Sequence, residues 1–252
     1  MLVSVCTVTY NRRPFIPSMI RCFQLQDYKG EMEWIIVDDG TDPIEDLVYS
    51  IPCVKYIRLE HKHALGEKRN IMHSHASGDI LVYMDDDDYY PPNRISHAVE
   101  KLTNSTALCA GSSVIHVYFD HIKKIVEFGP YGPNHATAGT FAIKKELLTH
   151  TSYDASANSA EERYFLKNYT IPMVQLDPQK TILVVAHANN TFDKKKLLNH
   201  FNAFMKETTL TLEHFIDDPE LLHFFTKDIH ALIQLQSPVS NVNMLLKVLQ
   251  QR

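Results

Sequence analysis

Four consecutive carboxylates, Asp85, Asp86, Asp87 and Asp88, stand directly after the uninterrupted apolar run Ile80-Leu81-Val82-Tyr83-Met84. Such a run has the length and composition of a buried strand. Carboxylates crowded at its end oppose one another's ionisation, and a hard divalent cation that takes their oxygens as ligands relieves the repulsion at neutral pH. Blocks of like charge usually sit in solvated tails, so their place at the end of a strand favours a metal over an acidic turn. Two further polar clusters end apolar runs: Thr9-Tyr10-Asn11-Arg12 after residues 2–8, and Asp38-Asp39-Gly40 after residues 34–37. Each has a plainer reading beside the chemical one. Asp-Gly is a good turn pair, and Tyr10 at a strand end has apolar neighbours to pack against.

The elements that would bring these clusters together follow from the pattern of apolar residues. The first half of the chain alternates β-branched runs with helix-like segments, as a parallel sheet covered by helices does. Strands are expected over 2–9, 34–37, 54–59 and 80–84, with helices over 15–26 and 66–76. Asp42-Pro43-Ile44-Glu45 carries the signature of a helix start, with Asp42 as N-cap. In a parallel sheet the strand ends share one edge, and ligands of open α/β sheets bind just outside it. From about residue 105 the pattern changes to strands over 107–110, 113–119 and 122–128, read as an antiparallel extension of the sheet. A turn-rich stretch at 129–134 follows, then a short helix near Lys144, a helix over 159–168 and a buried strand over 181–185. Beyond Phe192 the chain reads as helix only, with one helix starting at Asp218-Pro219-Glu220 and another within 240–248. The expected organisation is one α/β domain over 1–190 and a helical extension over 191–252, whose apolar positions, such as Leu221, Leu222, Phe224 and Phe225, would pack on the domain or form an oligomer contact.

Composition narrows the classes. The chain has 252 residues, 44% hydrophobic and 22% charged, with a formal charge of -5, which gives no basic footprint for nucleic acid. Glycine totals 8, and neither GxxxxGK[ST] nor GxGxxG occurs, so a phosphate would be held by side chains and a metal rather than by a glycine loop. Lys68 and Arg69 are candidates for that task. Cys6, Cys22, Cys53 and Cys109 lack paired spacing and read as reduced and mostly buried. His61, His63, His73 and His75 have no HExxH arrangement and read as solvated. The strand-like start without a basic leader, and the lack of a long apolar stretch, make a cytoplasmic protein the expectation.

Four segments, in order, resemble the motifs of family 2 glycosyltransferases of the GT-A fold: residues 3–12, residues 36–40, Gly66-Glu67-Lys68-Arg69-Asn70, and residues 78–88. The resemblance covers roughly residues 1–190. It implies a Rossmann-like, mostly parallel sheet and a nucleoside diphosphate sugar donor, usually a uridine diphosphate (UDP) sugar. Thr9, Tyr10 and Arg12 would then border the nucleoside, Asp38 or Asp39 would accept a hydrogen bond from the base, and Arg69 would lie against base or diphosphate. Asp85, with Asp86 beside it, would face the ribose, and Asp85 and Asp87 of the DxD pattern would serve manganese or magnesium. His187 after the 181–186 run would be a further metal ligand, which suits manganese better than magnesium. Gly139, in Thr137-Ala138-Gly139-Thr140-Phe141, would let the donor sugar approach closely.

The resemblance also implies an acidic pair opening a later helix, whose second member deprotonates the acceptor hydroxyl. Glu161-Glu162 matches that position, with Glu where Asp is usual, so Glu162 is the expected base and Asp154 the reserve. Ser159-Ala160-Glu161-Glu162 is equally a capping box, in which Glu162 would bond the backbone at the helix start. The implied activity is metal-dependent, inverting transfer of a sugar to an acceptor hydroxyl of unspecified glycan, protein or lipid. A non-catalytic nucleotide-sugar binder and a metal-dependent phosphodiesterase are the rival readings.

Overall fold

The computed structural model describes residues 1–187, 190, 193–199 and 203–229. Four strands, β1 (Leu2–Thr9), β2 (Glu31–Asp38), β3 (Val54–Arg58) and β4 (Ile80–Tyr83), run parallel in the order β3-β2-β1-β4. The sheet continues through β8 (Ala142–Lys144), β5 (Cys109–Gly111) and β9 (Met173–Gln175), with β8 antiparallel to both of its neighbours. Helices α1 (Ile16–Gln24), α2 (Glu45–Val48), α3 (Leu65–His75), α4 (Arg94–Thr103), α5 (Glu161–Phe165) and α6 (Pro219–His223) complete a mixed α/β architecture.

Strand alternation divides the core between the two faces of the sheet. Val3, Val5, Trp34, Ile36, Ile80 and Val82 pack with α1 and α4 residues on one face, while Cys6, Val8, Ile35, Val37, Leu81 and Tyr83 pack with Met72 of α3 and Phe165 of α5 on the other. Helix α1 presents Ile16, Met19 and Phe23 at helical spacing, each contributing about 1.5–3 kcal/mol on burial, and Phe23 stacks on Trp34 at 4.2 Å. The polar groups inside are partnered. Trp34 Nε1 donates to Thr7 Oγ1 at 2.9 Å, and that hydroxyl donates to the Met84 carbonyl at 2.7 Å, tying β1, β2 and the end of β4 together. All four cysteines are free, and three are buried, as expected.

Several local expectations change. Of the three later strands, only β5 joins the main sheet. β6 (Ile115–Phe119) and β7 (Lys124–Phe128) form a separate four-stranded sheet with β10 (Leu183–Ala186) and β11 (Met205–Glu207), in the order β10-β6-β7-β11. Strand β11 lies where helix alone was expected. The Asp218 cap is present, its carboxylate accepting from Leu221 N at 3.0 Å, whereas residues 240–248 lie outside the described residues. Phe215, Ile216, Leu221, Phe225 and Ile229 belong to the same core as β1 and β4. Asp42 does not cap α2. Its carboxylate is drawn to Arg13 at 2.9 Å, and Asp38 Oδ2 takes the Ile44 N–H at 3.1 Å instead.

His73 is buried, not solvated. It sits on the inner face of α3, where burial and then the charge of Arg69 push its pKa down to about 3 and keep the ring neutral. The ring hydrogen-bonds the Tyr83 hydroxyl, which in turn accepts from Tyr153 at 3.1 Å. Among the described residues no helix is long and apolar enough to cross a membrane.

One buried cation fixes the edge where the strands end. Arg94, fully buried at the start of α4, donates through one terminal nitrogen to the carbonyls of Tyr83, Thr140 and Phe141 at 3.2, 2.9 and 2.7 Å. It thereby clamps the end of β4 to the segment before β8. Arg94→Ala should lower unfolding stability by about 3 kcal/mol, because it strands buried carbonyls as well as removing a packed side chain. Urea denaturation of the two proteins checks this, and a loss below about 1 kcal/mol would mean that those carbonyls find other donors.

Candidate active site

At the carboxyl ends of the parallel strands lies an open cleft of about 900 Å³. The fold places it at the point where the strand order reverses, with β2 on one side of β1 and β4 on the other. Its lining brings together Thr9, Tyr10, Arg12, Lys68, Arg69, Asp85, Asp86, Asp87, Gly139 and Glu162 from five separate stretches of the chain. Asp38, Asp39, Asp154 and His187 are not in the lining.

The four aspartates have four different environments. Asp85 faces Arg69 Nη2 at 3.7 Å, and its backbone N–H donates to the Tyr90 hydroxyl at 2.7 Å. Asp86 lies under Arg12, Nε to Oδ1 3.8 Å. Asp87 meets Arg12 Nη2 at 3.4 Å and His187 Nε2 at 3.0 Å, with the Asn190 side-chain amide at 3.3 Å. Asp88 turns inward and accepts the Val185 N–H at 2.8 Å, locking the acidic turn to β10.

Charge is divided unevenly among them. Burial raises the pKa of Asp85, with Arg69 opposing and the charge of Asp87 adding. Burial and then Asp87 push Asp86 up to about 7, and burial raises Asp88 far above the carboxylate range. Burial works against Asp87 as well, but the His187 hydrogen bond, Lys194 and Arg12 outweigh it and hold this carboxyl well below the usual range. Asp87 is therefore the member whose ionised form its surroundings favour most.

These groups fit a divalent ion. Asp87 Oδ2 and His187 Nε2 stand 3.0 Å apart, the separation of adjacent ligands on an octahedral ion with bonds of about 2.1 Å. His187, its pKa lowered chiefly by burial, presents the neutral imidazole that metals bind, and Phe15 stacks on the ring at 4.6 Å and sets its plane. Among the described residues no three or more His, Cys, Asp or Glu side chains gather at one point, so phosphate oxygens and water would supply the rest of the shell.

On the opposite wall, Arg69 is buried and donates through Nε to Glu161 at 2.9 Å, with the Tyr83 ring 5.1 Å from its guanidinium carbon. Its Nη1 has no hydrogen-bond partner among the described residues. The capping box expected at Ser159 does not form. Ala160 precedes α5 in the left-handed region, φ 52°, no side chain caps the helix, and Glu161 is drawn to Arg69. Glu162 is left without an ion-pair partner among the described residues, and burial and then the Glu161 charge raise its pKa. Asp154 is used otherwise: its carboxylate accepts from the Ser156 N–H and hydroxyl at 2.9 and 2.7 Å, outside the cleft.

Asp38 and Asp39 build the cleft's corner from behind. Asp38 accepts from Gly40 N, Ile44 N and the Tyr56 hydroxyl at 2.8, 3.1 and 2.7 Å. Asp39 accepts from Lys68 Nζ at 2.7 Å and His63 N at 2.8 Å. In front of them, Tyr10 carries Lys62 over its ring at 4.4 Å. Gly139 has no room for a side chain, since a Cβ there would lie 2.7 Å from Asp85 Oδ2. Sequence reasoning missed Lys194, which lines the cleft beside the aspartates. Its only signal was the run Lys194-Lys195-Lys196, which reads by default as a solvated face.

Comparison with known proteins agrees with this geometry. An uncharacterised glycosyltransferase of Haemophilus influenzae is 30% identical over 101 residues, 39% of this chain and 34% of the relative. The GalNAc(5)-diNAcBac-PP-undecaprenol beta-1,3-glucosyltransferase of Campylobacter jejuni is 26% identical over 119 residues, 45% of this chain and 38% of the relative. The matches thus span well under half the length of these curated relatives. Among solved structures, Staphylococcus aureus TarS 1–349 in complex with UDP-GlcNAc superposes with a TM-score of 0.58 at 20% identity, covering 76% of this chain and 60% of that 1–349 chain. The mannosyltransferase PcManGT of Pyrobaculum calidifontis, in complex with GDP-Man and Mn2+, gives 0.60 at 15% identity, covering 94% of this chain and 71% of its own. These neighbours show the GT-A fold. The model of Glycosyl transferase family 2 matches residues 4–169, the stretch that holds β1 to β5, the acidic strand end and α5, and the chain belongs to that family.

Proposed function

We propose that the protein transfers a sugar from a nucleoside diphosphate donor, a UDP sugar, to an acceptor hydroxyl with inversion at the anomeric carbon. The observation that carries this reading is the meeting, in one cleft, of an acidic strand end, the cations Arg12, Arg69 and Lys194, and a carboxylate, Glu162, with no ion-pair partner among the described residues. Complexes of structural neighbours with UDP-GlcNAc and with GDP-Man and Mn2+ support the donor class and the metal.

Tyr10 and Lys62 would flank the nucleoside, and Arg12 and Lys194 would balance the charge that gathers on the diphosphate as it leaves. Asp87 and His187 would hold manganese, which when bound acts as a Lewis acid toward the diphosphate oxygens. Glu162 takes the proton of the acceptor hydroxyl while that oxygen forms its bond to the anomeric carbon. The bond from that carbon to the diphosphate oxygen breaks with its electron pair going to the leaving group.

A base works only when ionised, and Glu162 has a pKa raised above the ordinary glutamate value. The rate should therefore fall as pH drops through that raised pKa, placing the acid limb of the kcat profile above the ordinary glutamate range near 4.3. Glu162→Gln should reduce kcat by about 10²–10⁴-fold and abolish that limb while UDP affinity holds. Retained transfer in this variant would remove Glu162 from the role.

Asp87→Ala should abolish the strengthening of UDP binding by Mn2+ in calorimetry, with much smaller change when the metal is omitted. An undiminished Mn2+ effect would place the metal elsewhere.

A further inference from the structure

A second hollow, of about 680 Å³, is lined by α5 and by the segments that precede and follow it, from His150 to Asn168. Ser159, Ala160 and Glu161 form part of its wall and part of the wall of the cleft, so the two spaces meet one residue before Glu162. If the cleft holds the donor, the acceptor must reach that base through space the donor does not fill, and the hollow adjoins the cleft next to Glu162.

Its charged groups are unevenly engaged. The two carboxylates in its wall are already engaged, Asp154 by Ser156 and Glu161 by Arg69. Its cations are not: among the described residues Arg163 and Lys167 form no ion pair. The wall thus holds two acids and two bases, and the two bases are the charges left without an opposite partner beside an acidic site. Arg163 is also held in place. Its Nε donates to Asn168 Oδ1 at 3.0 Å, which among the described residues leaves both terminal nitrogens uncommitted, and Asn168 N donates to the Arg163 carbonyl at 2.8 Å. That arrangement is made by three successive non-glycine residues in the left-handed region, Lys167, Asn168 and Tyr169, with φ of 49°, 56° and 62°. Such a backbone is costly and tends to persist where function over-determines it.

We propose that the hollow binds a phosphate group carried by the acceptor, with the guanidinium of Arg163 and the ammonium of Lys167 as its partners. A guanidinium with two free terminal nitrogens offers the forked donor pair that matches phosphate oxygens, and a neighbouring lysine adds a point charge. The protein would then select phosphate-bearing acceptors over neutral ones. This assignment rests on the transferase reading above.

The test is calorimetry on the full chain with UDP and Mn2+ at saturation, so that the cleft's own cations are engaged. Glucose 1-phosphate should bind and glucose should not, and the double variant R163Q/K167Q should weaken glucose 1-phosphate at least tenfold with its circular dichroism unchanged. UDP affinity, measured alongside, should match that of the parent protein. Phosphatidylglycerol vesicles that displace glucose 1-phosphate would assign the phosphate to a lipid-borne acceptor, and failure to displace it would assign a soluble ester; both keep the proposal. Equal binding of glucose and glucose 1-phosphate, or an R163Q/K167Q variant that binds as the parent does, overturns it. Absence of UDP binding would instead overturn the donor reading, and the comparison of parent with R163Q/K167Q then still decides for the hollow.

Discussion

The structure is organised around the cost of placing four carboxylates at the end of a buried strand. At a separation of about 4 Å, two like charges repel by about 4 kcal/mol in the effective dielectric of a protein surface. Four cannot all be ionised there without help. The protein meets this by letting Asp87 keep its charge between Arg12, Lys194 and His187, while burial biases Asp85, Asp86 and Asp88 toward their neutral forms. The cations come from the β1 turn, from α3 and from the segment after β10, so the charge balance at one turn couples elements distant in sequence. A diphosphate and its metal ion would enter a site whose charges are already poised.

The hydrogen-bonded scaffold behind the turn keeps this balance in register. Thr7 links Trp34 to the Met84 carbonyl, Arg94 gathers three carbonyls, and Tyr90 accepts the Asp85 N–H while donating to the Gly139 carbonyl at 3.1 Å. None of these groups is charged and exposed to solvent. Their geometry is therefore insensitive to salt, in contrast to the cations that face the cleft. Arg69 joins the two systems, since it is buried against Tyr83 and Tyr153 yet pairs with Glu161 and Asp85 at the cleft wall.

The parallel half of the fold was legible because its strands are buried on both faces, and their β-branched runs end abruptly in polar clusters that share one edge. What failed to read were choices of partner. Residues 115–119 and 124–128 have strand character, but nothing local says that they pair with β10 and β11 and not with β5. Asp42 had the right spacing for an N-cap and lost to an arginine 29 positions upstream. His73 sat among polar neighbours in sequence, and only the helix period turns it toward Tyr83. Glu162 was found as the second acid of a pair, while the engagement of Glu161 by Arg69, which leaves Glu162 uncommitted, is a contact over 92 positions. Lys194 was hidden by its two lysine neighbours.

The shared core of the two sheets bears on how small a working version of this protein can be. Phe224 meets the edge of Phe15, which lies against His187, and the Tyr89 hydroxyl donates to the Phe215 carbonyl at 2.8 Å. A chain cut back to residue 190 would keep every acidic and cationic group of the cleft except Lys194. It would also strip the cover from Phe15 and Tyr89, so the His187 imidazole would lose the packing that aims it at Asp87. The charged motifs of the cleft end long before the packing that supports them.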